Sequence, residues 1–269
     1  MTDLIRPLDV ERLRHEWKTA QPFPHIKIES FLQDDFAREV VASYPSFEGA
    51  RQVGHEFSFV NEMGKVQVTD STRFPEPVAR LNALLASSDF LDQLETITGI
   101  PKLIADPKLA GGGMHVTGPS GRLDVHVDFN FDEERQWHRR MNLLLYLNPE
   151  WPDAWGGGVE LWDRKVKRRY HRFAPLLNRV VVFETSHISY HGVEPVTCPP
   201  SKARRSFATY YYTKEAPRDW DGRKHSTIFR ARPDERFRGL VLMPAERVAR
   251  EAKRRVRRVV DFAARLRGS

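Results

Sequence analysis

Leu123-Asp124-Val125-His126-Val127-Asp128-Phe129 alternates apolar and polar residues along its whole length. On a strand, residues two apart share a face, so His126 and Asp128 stand side by side. An apolar strand has no structural need for an imidazole and a carboxylate together. Burying them costs on the order of several kcal/mol unless something pairs with both. A divalent metal ion would do so.

Outward from this run the texture is that of short strands. Met141–Leu147, Gly158–Trp162, Arg179–Phe183, Val193–Thr197 and Phe207–Thr213 are β-type runs separated by Gly, Pro, Asn and Asp. The first third reads differently. Leu8 to Ala20 and Gln33 to Tyr44 carry helical patterns, and Pro77 to Thr98 reads as two helices, the second capped at Ser87-Ser88-Asp89 and ended by Gly99. Ile26 and Ile28 alternate in a short strand, and Val53 to Thr72 is irregular. Helices followed by many short strands predict an α+β chain with a jelly-roll (double-stranded β-helix) or barrel core, N-terminal helices packed against it and a C-terminal helix. The expected organisation is one domain over 1–239, with a helical segment over 1–102 and a jelly-roll core over 103–213, followed by a basic helix over 240–269.

A third ligand is sought on another strand. His191, in Tyr190-His191-Gly192-Val193, follows the apolar run Val180–Phe183, far enough downstream to return across a barrel. His187 is its rival. Two histidines and one carboxylate with open coordination positions form the facial arrangement of non-heme Fe(II) oxygenases. Further on stands Arg204-Arg205-Ser206-Phe207-Ala208-Thr209. A guanidinium on the strand neighbouring the ligands could hold a distal carboxylate in a bidentate pair.

His126-x-Asp128, the distal His191-Gly-Val-x-Pro-Val and Arg205-x-x-x-Thr209-x-Tyr211 together resemble the prolyl 4-hydroxylase-like group of Fe(II)/2-oxoglutarate dioxygenases. So do Asn142-Leu-Leu-Leu-Tyr146-Leu-Asn148, Trp151 and Gly156-Gly-Gly158-Val-Glu-Leu, and the likeness spans about residues 111 to 213. The resemblance implies a jelly roll in which His126, Asp128 and His191 bind Fe(II). It implies 2-oxoglutarate as co-substrate, its far carboxylate on Arg205 with Thr209 and Tyr146 assisting, and O2 as oxidant. Arg204, followed by Ser206, is the alternative anchor. The implied reaction hydroxylates an unactivated C–H bond of a small molecule, amino acid or peptidyl residue and releases succinate and CO2. A carboxylate at 128 occupies the position where halogenases of the family bind halide, so hydroxylation is expected. The other readings are a non-catalytic jelly-roll binding protein and a metal-dependent hydrolase or isomerase on the same barrel; neither needs an arginine placed for a dicarboxylate. Trp155, Trp162, Tyr190 and Tyr211 read either as core or as rings that stack on substrate.

Composition narrows the rest. One cysteine, Cys198, excludes an internal disulfide and any multi-cysteine cluster. No apolar run is long enough for a secretory signal or a spanning helix, which leaves a cytoplasmic protein as the expectation. The net charge of +7 is mostly local: residues 240–269 hold nine Lys/Arg against three acids. The near-neutral body argues against a nucleic-acid-binding barrel. The basic helix reads either as a solvated surface helix or as a contact for an anionic partner. Asp128→Ala is expected to abolish 2-oxoglutarate-dependent succinate formation; near-normal turnover in that variant would refute the metal assignment.

Overall fold

The computed structural model describes residues 2–235 and 237–245. Its helices are α1 Val10–Thr19, α2 Asp34–Ser43, α3 Phe47–Val53, α4 Glu76–Leu85 and α5 Ser88–Thr98. Its strands are β1 His25–Ile28, β2 His55–Ser58, β3 Glu62–Val68, β4 Ile104–Ala105, β5 Gly113–Val127, β6 Phe131–Asp132, β7 Trp137–Tyr146, β8 Val159–Trp162, β9 Arg169–Phe173, β10 Val180–Glu184, β11 His191–Val193, β12 Arg204–Thr213 and β13 Ile228–Arg230. The main path runs β1-β10-β7-β12-β5-β11-β8-β9, antiparallel throughout. This curled sheet is the expected jelly-roll core.

β5 belongs to both walls. Residues 113–117 pair with β12, while His126 and Leu123 pair with β11. Between these stretches, β3 pairs along β5 and its register slips between Met63 and Lys65, opposite Gly118 to Gly121. Gly64 of β3 has φ +65°, and a Cβ there would lie 2.7 Å from the Cα of Gly121, so only glycine fits at this slip.

Alternation along β7 divides the core. Met141, Leu143 and Leu145 face the helical layer with Val180, Val182, Phe207 and Tyr211. Leu144 and Tyr146 face the barrel interior with Val159, Leu161, Val181 and Phe183. The helices supply Leu13, Trp17, Phe36, Val40, Leu81, Leu84, Phe90 and Leu94 to the first group. Their ends follow the sequence signals: the Ser87 side chain accepts from the Phe90 amide, and Gly99 closes α5 with φ +72°.

Two expectations shift. The segment read as irregular, Val53 to Thr72, contains the β2–β3 hairpin, because Val66 and Val68 find a partner in β5 that lies far away in sequence. The strand expected over Val193–Thr197 ends at Val193; Pro195 has no amide to donate, and Val196, outside any strand, forms an isolated bridge to Gly156 and bonds with Gly121 and Ser120. Of the expected basic helix, residues 246–269 lie outside the described residues. Among the described residues no helix is long and apolar enough to cross a membrane.

The helical layer is tied to the barrel at Asn178. It sits at φ +59°, a conformation asparagine tolerates better than most residues. Its side chain accepts from the Leu32 amide (2.7 Å) and donates to the Leu32 carbonyl (2.8 Å), both buried. Asn178→Ala strips partners from two buried backbone groups, and denaturant unfolding should show a loss of roughly 2–4 kcal/mol; a loss below about 0.5 kcal/mol would contradict this account of the junction.

Candidate active site

His126 ends β5 and His191 begins β11, and the two are direct partners in the ladder. Their ring centroids are 4.3 Å apart. Asp128 follows His126 on the same face, its Oδ1 3.4 Å from His126 Nε2 and its Oδ2 3.4 Å from His191 Nε2. All three are buried, and one ligand atom from each falls within 4.8 Å of the others. The exposed His187 is not part of this group.

The far side of each ring fixes its tautomer. His126 Nδ1 lies 2.9 Å from the Asp124 carbonyl, and His191 Nδ1 lies 2.9 Å from the Ser189 carbonyl. A carbonyl only accepts, so each Nδ1 carries a proton, and in the neutral ring Nε2 is then the atom with a lone pair, turned toward Asp128. His191 is held neutral: burial, then the His126 imidazole, push its pKa down to about 3.

Asp128 is held as a carboxylate. Burial would raise its pKa, but Arg139 and then His191 and His126 outweigh it and keep the group well below the usual range. Asn142 Nδ2 donates to its Oδ2 at 2.7 Å, and an Arg139 nitrogen lies 3.2 Å from the same oxygen. Arg139 in turn donates to Asn142 Oδ1 at 2.8 and 3.1 Å. Its guanidinium sits between two rings, 3.6 Å from the Tyr210 centroid and 4.7 Å from that of Phe129. Oδ2 is thus occupied and Oδ1 remains for a ligand bond.

Sequence reasoning missed the role of this Arg139–Asn142 pair. Residues three apart on a regular strand face opposite ways, but the β7–β12 register slips between Tyr211 and Tyr212, and the irregularity turns Arg139 inward beside Asn142. No local signal marks a bulge. Asn142 alone was within reach, as a polar residue in an apolar strand.

The other pole of the interior corrects the expected anchor. On β12, Ser206 opposes Tyr146, Ala208 opposes Leu144 and Tyr210 opposes Asn142, so Arg204, Ser206, Ala208 and Tyr210 share the inward face. Arg205 and Thr209 have the opposite parity. Arg205 lines an outer cleft with Trp151, Trp155 and Lys202, and Thr209 opposes Leu143 on the helix side. Arg204 is the interior guanidinium. It donates to the Gly157 carbonyl (2.6 Å) and the Ser206 hydroxyl (3.1 Å), and lies 5.0 Å from the Tyr146 ring centroid. No carboxylate among the described residues pairs with it, and burial lowers its pKa. The Tyr146 hydroxyl beside it is buried without a hydrogen-bond partner, its pKa raised by burial. The predicted Tyr146 is therefore at this pole, together with Arg204 instead of Arg205. Of the flanking aromatics, Trp162 and Tyr190 pack with Val125 and Val127, away from His126, and Tyr211 belongs to the helical core.

A jelly roll with two imidazoles and a carboxylate at one end of its interior, and a guanidinium without an acid partner among the described residues at the other, fits a metal-dependent oxygenase. Residues 112–213 match the sequence model of the 2OG-Fe(II) oxygenase superfamily. Among solved structures, a Pseudomonas putida prolyl-4-hydroxylase aligns with TM-score 0.52 at 17% identity, over 75% of this chain and 98% of its own. A prolyl hydroxylase from Trichoplax adhaerens, solved with a hypoxia inducible factor peptide fragment, aligns with TM-score 0.53 at 16% identity, over 80% and 96%. The epimerase SnoN, solved with Fe3+, alpha ketoglutarate and nogalamycin RO, aligns with TM-score 0.51 at 12% identity, over 81% and 95%. No curated protein sequence matches the chain.

The residues present fit the groups this family uses. Two nitrogen lone pairs and one free carboxylate oxygen suit a ferrous ion. A buried cation without an acid, beside a hydroxyl without a partner, suits a carboxylate. Removing the Asp128 support through Asn142→Ala should weaken Co(II) binding by about ten-fold, measured by titration of the apoprotein; unchanged affinity would show that Arg139 alone orients the carboxylate.

Proposed function

We propose that this protein is an Fe(II)- and 2-oxoglutarate-dependent dioxygenase that hydroxylates a C–H bond of a small molecule, an amino acid or a peptidyl residue. The observation that carries the reading is the pair of Nδ1–H imidazoles whose Nε2 atoms converge on Asp128. His126, Asp128 and His191 would hold the iron, which, when bound, supplies the activation of O2 and the oxidising power for an unactivated C–H bond.

Each segment of the chain has its task in that chemistry. The Asp124 and Ser189 carbonyls keep the imidazoles aimed. Asn142 and Arg139 occupy one oxygen of Asp128 and leave the other to the metal. Arg204, with the Tyr146 hydroxyl, receives the distal carboxylate of 2-oxoglutarate. The apolar interior wall of Leu144, Leu161, Val181 and Phe183 suits the methylenes of that acid and keeps water from the reaction. Because a carboxylate stands at 128, hydroxylation is the reading; an epimerase shares the fold at low identity, so the fold by itself does not choose the product. Cys198, buried and unpaired, is in keeping with a reducing cytoplasm.

The Arg204–Tyr146 pole favours this reading over a metal-dependent hydrolase, which has no use for a buried, acid-free guanidinium. The test is succinate release from 2-oxoglutarate with and without ferrous iron. Turnover is expected only with iron. Arg204→Met should raise the KM for 2-oxoglutarate roughly 100-fold through loss of a charge-assisted pair, while Arg205→Met should stay within about two-fold, as expected of a residue outside the interior. The reverse pattern would place the anchor on Arg205, and iron-independent turnover would sink the proposal.

A further inference from the structure

The strands that carry the two histidines meet at a fault in the sheet. His191 opposes His126, but Val193 opposes Leu123, so Asp124 and Val125 together stand across from Gly192. Such a slip breaks the local ladder and leaves carbonyls to be satisfied from elsewhere. One guanidinium does this. An Arg232 nitrogen donates to the Val193 carbonyl at 3.0 Å and to the Leu123 carbonyl at 3.2 Å, one on each histidine strand. Its Nε donates to Glu160 of β8 at 2.7 Å, so the side chain spans three neighbouring strands.

The same segment grips the residue that orients His126. Arg238 donates to the buried Asp124 carboxylate at 2.9 Å, and Arg232 lies 3.6 Å from it. The backbone carbonyl of Asp124 is the acceptor for His126 Nδ1. Upstream, β13 adds to the free edge of β5 with Phe229 opposite His126, their rings 5.2 Å apart. Space is tight at the fault: a Cβ on Gly192 would lie 3.2 Å from the Arg232 nitrogen and 3.1 Å from the Leu123 carbonyl oxygen. These contacts come from residues 228–230, Arg232 and Arg238, beyond the matched segment 112–213.

We infer that residues 228–235, together with Arg238, form a strap that completes the metal centre, with Arg232 as a positioning residue that fixes the spacing of the His126 and His191 strands. The inference rests on the reading of the triad as an iron site. A bound ion requires both Nε2 atoms at set positions, and the guanidinium ties together the two strands that carry them at the point where their ladder slips. Reciprocity follows: if the strap favours the metal-binding geometry, metal must in turn steady the strap.

The test uses the full-length apoprotein titrated with Co(II) alone. Arg232→Met should raise the Co(II) Kd about 10–100-fold while the protein remains folded by circular dichroism. Arg232→Lys, which keeps the charge beside Glu160 but lacks the planar fork, should not restore wild-type affinity. A role in stability alone would lower the melting temperature with Kd unmoved, and a folded Arg232→Met within two-fold of wild type overturns the inference. Should the variants fail to fold, hydrogen exchange on the wild type decides: Co(II) should slow exchange of the β13 amides more than those of α1, and equal change overturns the inference. Asp128→Ala separates the two levels. If it binds Co(II) as well as wild type does, or if wild type binds none, the iron reading fails and the strap's role falls with it.

Discussion

The pairing of His191 with His126 across β11 and β5 is the contact on which the rest of the structure depends. It brings two residues 65 positions apart into one ladder rung. It also sets what each ring can do, because the backbone that forms the rung supplies the carbonyls that hold both Nδ1 protons. Imidazoles so placed, with a carboxylate between them, are costly to bury unless a cation joins them. Arg139 and Asn142, on one oxygen of Asp128, offset part of that cost and leave its other oxygen free for a metal.

The interior has charge at both ends and hydrocarbon between. At the ligand end, the Asp128 charge is balanced by Arg139, so a divalent ion bound there would leave the pole strongly positive. At the other end, Arg204 is buried with no acid among the described residues beside it. A metal held by the β5 and β11 histidines and Arg204 of β12, separated by an apolar wall, would match a dicarboxylate with a short methylene chain. Through the pairing of β12 with β5 and β7, the ladder that builds the sheet would then space the two ends of the proposed co-substrate pocket.

How much of this is legible in the sequence depends on the range of the signal. His126 and Asp128 share a face by simple alternation, and the turn residues between short apolar runs announce a jelly roll. His191 is legible through its motif. The anchor is ambiguous, because Arg204 and Arg205 are adjacent and only strand parity, set by the pairing Ser206–Tyr146, tells inside from outside. Arg139 is hidden by a bulge, which depends on how two distant strands meet. The Pro-, Arg- and Asp-rich run from Lys214 to Gly239 reads as a segment that wraps over the barrel, but the roles of its arginines are hidden for a similar reason: they find their meaning only against unpaired carbonyls on other strands.

The most direct test of the central claim is the position of a metal in a crystal of the protein grown anaerobically with Mn(II) and 2-oxoglutarate, located by its anomalous signal. The account predicts one ion per chain, bonded to both Nε2 atoms and to Oδ1 of Asp128, with the co-substrate's free carboxylate on Arg204. An ion bound elsewhere, or imidazoles turned so that Nδ1 faces the metal, would contradict it.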